Sequence, residues 1–335
     1  MAKRIAEVTD NQWQQVNEFN RKMVEEYLTN SVHLSPKSIE QYKSALRIYF
    51  WWVKENLNNK SNIEIKSREY LRYQNWVTNL GLGESAIRFK RSAVSSFNDY
   101  VLLYYEEDYP TFRNYITKQI KVETSGKVHK KIPLTPEEMK ILYNELEKRA
   151  DWQKLAYVKF TYASGCRRAE AAQLLKEVVD YKPIKKLVKT KDKDGKEIEV
   201  EITKYKTGDI RCKGRGRVGK VKPLEFNQEA MDAIKKWLEE RGEDDCPYVF
   251  VSKINGKYRQ INEQSFNDWC SVVFAKIIGR RVTPHLFRTS RATNGVIYEG
   301  KSLETMQKLL GHLSSDTTKI YVVKEDSEDA DEAFV

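Results

Sequence analysis

From Ser35 onward the apolar residues return every three or four positions, and that periodicity limits the fold more than any other feature of the chain. Ile39, Tyr42, Leu46, Tyr49, Phe50 and Val53 form one stripe, with Ser35 placed to cap a helix and Pro36 at its first position. The pattern recurs from about Glu84, where Ile87, Val94, Phe97 and Val101 share a face, and again over Asn11 to Leu28 and Ser67 to Leu80. The first hundred or so residues therefore read as a small helical bundle. Its outward faces are basic, with Lys43 and Arg47 on one helix and Arg88, Lys90 and Arg91 on another.

Between residues 117 and 131 the periodicity vanishes, and Thr124-Ser125-Gly126-Lys127-Val128-His129-Lys130-Lys131 has the composition of a basic linker. A second unit then opens on Thr135-Pro136-Glu137-Glu138, in which Thr135 and Glu138 can form a capping box. The expected organisation is a helical domain over 1–116, a linker over 117–131, a second domain over 132–323 and a tail over 324–335. From Lys182 to Lys222 the pattern becomes β-like alternation, broken at Asp194-Gly195 and by Gly214, Gly216 and Gly219. This is expected to be one small antiparallel sheet. It holds fifteen Lys or Arg against six acids, most of the chain's excess charge. A helix and a short strand, Tyr248 to Val251, precede further helices running to about Tyr321. The acidic run from Glu325 to Glu332 is too charged to fold alone. The fold class is mostly α with a small antiparallel sheet, α+β.

At 335 residues the chain is long enough for about two domains with cores of their own. Its longest apolar runs, Ile48 to Val53 and Tyr100 to Leu103 with two following tyrosines, are far shorter than the ~20 residues of a membrane span. The start of the chain turns polar at once, so a cytoplasmic protein is expected. Cys166, Cys212, Cys246 and Cys270 are widely and irregularly spaced, which favours reduced, buried thiols over zinc or a disulfide framework. A formal net charge of +11 favours a polyanionic partner.

One attractive motif fails on its context. Gly214-Arg215-Gly216-Arg217-Val218-Gly219-Lys220 satisfies G-x-G-x-x-G and most of the phosphate-loop pattern. Both motifs must lead into a helix, yet the extended segment Val221-Lys222-Pro223-Leu224 follows, and Val221 stands where a metal-binding hydroxyl belongs. A basic, glycine-rich hairpin tip entering a DNA groove with Arg215 and Arg217 uses the same residues with nothing missing.

Chemistry concentrates elsewhere. His285 and Arg288 are three residues apart and share a helical face. His312 follows Leu310-Gly311, where the glycine can end a helix, and lies nine residues before Tyr321. Upstream, Arg167 stands at a helix start with Glu170 one turn on, placed to orient it. An imidazole, a guanidinium and a phenol can thus converge.

Taken together these segments resemble the tyrosine recombinase family, the phage integrases and chromosome-dimer resolvases, over nearly the whole chain. Gly165-Cys166-Arg167-Arg168-Ala169-Glu170 looks like the family's first arginine box and Cys212-Lys213-Gly214 like its β-hairpin lysine motif. His285-Leu286-Phe287-Arg288 looks like the His-x-x-Arg box, and Leu310-Gly311-His312 with Tyr321 like the final box. Two positions depart from the usual pattern: Thr289 where a second histidine is common, and Val322 after the tyrosine. The stretch from Lys185 to Lys206 is also longer than the family's usual sheet.

The resemblance implies a core-binding, SAM-like helical bundle followed by a catalytic domain. It implies a site-specific recombinase that cuts DNA through a 3′-phosphotyrosyl link for integration, excision or resolution, with neither metal, ATP nor any other cofactor. Tyr321 would be the nucleophile, Arg167 and Arg288 would hold the phosphate, and His312 would donate to it. Lys213 would protonate the leaving oxygen, His285 would accept the tyrosine proton or bind the oxyanion, and Glu170 would orient Arg167. Lys43, Arg47, Arg88, Arg91, Lys130, Lys131, Arg215 and Arg217 would contact DNA. The implied partners are double-stranded DNA at specific recombination sites and, with a monomer or weak dimer when free, three further copies joining two duplexes. An accessory DNA-bending protein is a further implied partner, in a nucleoid-associated location. The alternatives are a type IB topoisomerase-like relaxing enzyme and a catalytically silent DNA-binding regulator.

Overall fold

A computed structural model describes residues 5–117, 132–191, 197–214 and 219–311. The chain forms two compact units, the first of Met1–His129 with Gly214–Gly219 and the second of Lys130–Lys213 and Lys220–Val335.

The first unit is all helical, with α1 over Asp10–Gln14, α2 over Glu18–Asn30, α3 over Pro36–Asn56, α4 over Ser67–Asn79 and α5 over Glu84–Tyr104. Ser35 caps α3 by accepting the Ser38 amide at 3.2 Å, with Pro36 at the first helical position as expected. The single helix expected over Asn11 to Leu28 is two. Asn17 leaves helical geometry to cap α2 and bonds twice to Asn59, through its backbone amide at 2.8 Å and its side-chain amide at 2.9 Å.

Leu46, Tyr49, Phe50 and Val53 from α3 pack with Val94, Phe97 and Val101 from α5, all fully buried. Burying one such phenylalanine stabilises the unit by roughly 1.5–3 kcal/mol. Inside this apolar core lies a polar chain in which every group named is paired. Tyr49 and Tyr115 share a hydroxyl contact at 3.0 Å, and the Tyr115 hydroxyl donates to Asn62 Oδ1 at 2.6 Å. Asn62 donates to Asn98 at 3.0 Å and, through its backbone, to Asn20 at 2.7 Å.

The second unit opens on α6, Pro136–Lys148, capped by the expected reciprocal box: the Glu138 amide donates to Thr135 Oγ1 at 3.2 Å, and the Thr135 amide donates to Glu138 at 2.9 Å. Arg280 fastens this start, bonding both Glu138 oxygens at 2.8 and 2.6 Å and the carbonyls of Ile132 and Pro133. There follow α7 over Trp152–Ser164 and the short α8 over Arg168–Ala171. The strands are β1 (Ile184–Lys191), β2 (Glu197–Lys206), β3 (Ile210–Cys212), β4 (Lys220–Lys222) and β5 (Glu225–Asn227). Then come α9 over Gln228–Arg241, β6 over Val251–Ile254 and β7 over Lys257–Gln260. A long helix is α10 (Glu263–Asp268) and α11 (Ala275–Ile278) joined by a π turn, and the last described helices are α12 (Pro284–Ile297) and α13 (Leu303–Leu310). Tyr157 of α7 stacks on Phe266 at 4.2 Å in a core that also buries Phe160, Phe250, Phe274 and Phe287.

Two expectations about the strands need correction. The basic stretch makes two ladders rather than one sheet: β1-β2-β5 and, apart from it, β3-β4. The break falls at Thr207, which bonds Leu224 through both its amide and its hydroxyl and ends the first ladder. Tyr248 makes only an isolated bridge to Leu175; the strand proper is β6, and it forms a hairpin with β7 that the periodicity did not suggest. Asn255 and Gly256, with φ of 49° and 77°, form its turn, and that dipeptide was the readable signal.

Candidate active site

α7 ends at Gly165, whose φ of +61° is left-handed and whose missing β-carbon leaves room for Leu310: a Cβ there would stand 2.3 Å from Leu310 Cδ2. α13 ends in the same way, at Gly311 with φ of +66°. Two helix ends therefore meet, and Arg288 joins them. From the first turns of α12 its buried guanidinium donates to the Gly165 carbonyl and, at 2.9 Å, to the Leu310 carbonyl. His285 stands one turn earlier on the same helix and is half-buried. Thr289, the departure from the family pattern, is buried and donates to the His285 carbonyl at 3.3 Å.

Two residues past Gly165, Arg167 caps α8. Glu170 accepts its backbone amide at 2.8 Å and its guanidinium at 2.9 Å, while Arg167 stays about a third exposed and Glu170 is buried. That geometry fixes the orientation of the arginine and, among the described residues, leaves its other side-chain donors without a carboxylate. β3 lies alongside. The Gln173 side chain bonds Arg211 at both its backbone amide and its carbonyl, each at 3.0 Å, which fixes the strand. Cys212 thus faces Glu170: burial first and then that carboxylate push its thiol up to about 11, against the pull of Lys222 and Arg167. Cys166 is pushed up to about 12 by burial and by Glu170, and all four cysteines are free and buried. Lys213 is exposed directly after β3.

The structure thus gathers Arg167, Glu170, Arg288 and Cys212 around the Gly165 corner, with His285 on the same helix as Arg288 and Lys213 beside Cys212. His312, Tyr321 and Val322 lie outside the described residues, as do Lys130, Lys131, Arg215, Arg217, nearly all of the linker, the Asp194-Gly195 turn and the acidic tail. The segment after Gly219 is strand β4 and not a helix, in keeping with the rejection of a nucleotide loop. Residues that sequence reasoning overlooked are Gln173 and Lys222. The latter was counted only as one basic residue among fifteen, although its ammonium packs against Gly311.

In the first unit Lys43 is exposed and Arg88 pairs with Glu84 across one turn. Arg47, placed by periodicity on an outer face, is instead drawn against the Trp13 ring and paired with Asp10 at 2.7 Å, because α1 covers that side of α3. Arg91 donates to the Thr117 carbonyl at 2.6 Å, and Lys90 is buried enough that desolvation lowers its pKa. The outer face is thus less uniformly basic than the sequence suggested. Among the described residues no helix is long and apolar enough to cross a membrane, and no cluster of three His, Cys, Asp or Glu could hold a metal.

The model of the phage integrase family matches residues 133–328. The chain belongs to that family. Among relatives, the SPbeta prophage-derived recombinase-like protein YomM of Bacillus subtilis strain 168 is 32% identical over 339 residues, 99% of this chain and 96% of its own. Tyrosine recombinase XerD of Halalkalibacterium halodurans is 26% identical, covering 86% of this chain and 87% of its own. The same integrase fold occurs in the crystal structure of XerH site-specific recombinase bound to palindromic difH substrate, at 16% identity and a TM-score of 0.65 over 100% and 98% of the two chains. It occurs again in Tn1549 transposon integrase in complex with a circular intermediate DNA, at 13% identity and a TM-score of 0.64 over 94% and 98%.

Proposed function

We propose that this integrase-family chain breaks and rejoins duplex DNA at specific recombination sites through a covalent tyrosyl intermediate. The observation that carries the reading is the convergence of Arg288 with the Glu170-oriented Arg167 at the Gly165 corner, with Lys213 leading away from Cys212 next to it. Two guanidinium forks at one corner suit a phosphodiester whose non-bridging oxygens gain charge as phosphorus becomes five-coordinate.

A phenol of pKa about 10 is almost wholly protonated at neutral pH, so Tyr321 must lose its proton as it attacks, and His285 is assigned to receive it or to hold the oxyanion. The new bond is phosphorus to tyrosine oxygen, and the bond broken is phosphorus to the DNA 5′-oxygen. Lys213 supplies that oxygen with a proton, and His312 donates to the phosphate. The bond energy is retained in the phosphotyrosine, so rejoining needs neither ATP nor a metal. Four copies acting on two duplexes, an accessory bending protein and a place in the nucleoid complete the proposal, with Lys43, Arg88 and the linker lysines neutralising backbone phosphates.

The deciding experiment is a nicked suicide duplex incubated with the protein in EDTA and without nucleotide. A covalent protein–DNA band is expected, lost in Tyr321→Phe while gel retardation persists. A band that survives this substitution removes Tyr321 as the nucleophile. A plasmid with two sites separates the readings further: deletion or inversion supports recombination, and relaxation of any supercoiled plasmid supports a topoisomerase.

A further inference from the structure

Lys222 is the last residue of β4 and pairs in register with the buried Ile210 of β3. Its aliphatic stem runs along the turn after α13. The ammonium lies 2.5 Å from the point where a β-carbon on residue 311 would stand, and Cε lies 3.2 Å away. Gly311 is required for its left-handed backbone, and its lack of a β-carbon is what lets the lysine tip come this close. The neighbouring Leu310 carbonyl is the one that Arg288 holds, and at the Cys212 thiol, which burial and Glu170 push up, Lys222 and Arg167 both pull the other way. Among the described residues no carboxylate pairs with Lys222. Glu225, which shares a cleft of about 650 Å³ with it, is engaged by Lys204 at 2.6 Å and Lys206 at 3.3 Å.

We propose that Lys222 is a further phosphate-contacting residue of the active site, supplied by the returning strand of the hairpin whose outgoing strand leads to Lys213. The inference rests on the recombinase reading above. Among the described residues Arg167, Arg288 and Lys222 stand about the ends of α7 and α13 with the carboxylate of Glu170, and an anion is what that excess of positive charge fits. A phosphodiester supplies one negative charge in the ground state and gains more as the transition state forms, so the third cation acts most strongly there. Lysine suits this place because a compact ammonium can sit against the bare Gly311 backbone where a planar guanidinium fork is harder to seat.

The test measures covalent adduct formation on the suicide duplex for wild type, Lys222→Met and Lys222→Arg. Each is assayed with a natural scissile phosphate and with an uncharged methylphosphonate in its place. On the natural substrate Lys222→Met is expected to slow adduct formation by about a hundredfold, with Lys222→Arg falling in between because it keeps the charge but seats it less closely against Gly311. On the methylphosphonate the wild-type and Met proteins should react within about twofold of each other, since the charge that Lys222 meets is gone. Equal penalties on both substrates would make Lys222 a prop for the α13 turn and overturn the proposal, as would a Met variant that cleaves the natural substrate at the wild-type rate. Should Lys222→Met fail to fold, Lys222→Gln is read in the same four-way comparison. A wild-type protein that forms no adduct would instead sink the recombinase reading, and the control lane reports that separately.

Discussion

Arg288 is bonded to the carbonyl of Gly165, a residue 123 positions earlier, so one side chain of α12 closes the end of α7 and carries the second arginine of the site. A second bond to Leu310 makes the same guanidinium the clasp between three helices. The packing of these helices and the proposed chemistry therefore meet in one group. Arg288→Met should leave two buried carbonyls unpaired and cost about 2–5 kcal/mol in urea unfolding, besides abolishing the covalent adduct. A variant as stable as wild type would show that those bonds contribute nothing.

Gly165→Ala combines a left-handed backbone with a collision against Leu310, whereas Gly279, at φ of +79°, has open space around it. Gly279→Ala should lose about 1 kcal/mol for backbone strain alone, and Gly165→Ala clearly more. Equal losses in parallel thermal melts would mean that Leu310 yields without cost.

Glu170→Ala removes the acceptor that holds both the amide and the guanidinium of Arg167. The expected outcome is adduct formation slowed by at least about tenfold with little change in DNA affinity, because the arginine stays but loses its orientation. Glu170→Gln, which keeps an oxygen acceptor, should fall in between. Gel retardation and suicide-substrate assays on the same preparations check both.

The Arg280 guanidinium beside Glu138 holds that carboxyl below its usual range. A group whose folded pKa is depressed contributes stability above its unfolded pKa, near 4.3, and loses it as pH falls through the lower folded value. Glu138→Gln should therefore be less stable than wild type at pH 7 in urea titrations, and the gap should narrow below about pH 4. A gap independent of pH would assign the effect to the capping geometry instead of the charge.

Asn62 joins Asn20, Asn98 and Tyr115 inside the first unit. Asn62→Ala should destabilise by about 1–3 kcal/mol, since it leaves the Tyr115 hydroxyl and Asn98 buried with a partner removed. Tyr115→Phe, which keeps the ring and deletes only the hydroxyl, should cost less. Unfolding followed by tryptophan fluorescence reads both.

Local chemistry made much of this legible in advance. Ser35-Pro36 and Thr135 with Glu138 start helices by satisfying their own first amides, and Arg167 with Glu170 does the same within four residues, so each signal lies inside one turn of chain. The Asn255-Gly256 turn of the β6-β7 hairpin is an equally local signal. The split of α1 from α2 was not legible, because Asn17 is held by Asn59, 42 residues away.

By itself the sequence determined which residues could cap, cross a turn or bind a phosphate, and in what order they come, since those properties belong to single side chains and their immediate neighbours. Only the tertiary structure decided which cations remain available. Arg47 was taken up by Asp10 and Trp13, whereas Lys222 was brought to Gly311 by strand pairing. Both were single basic residues among many in the sequence, and packing between elements distant in the chain separated their fates.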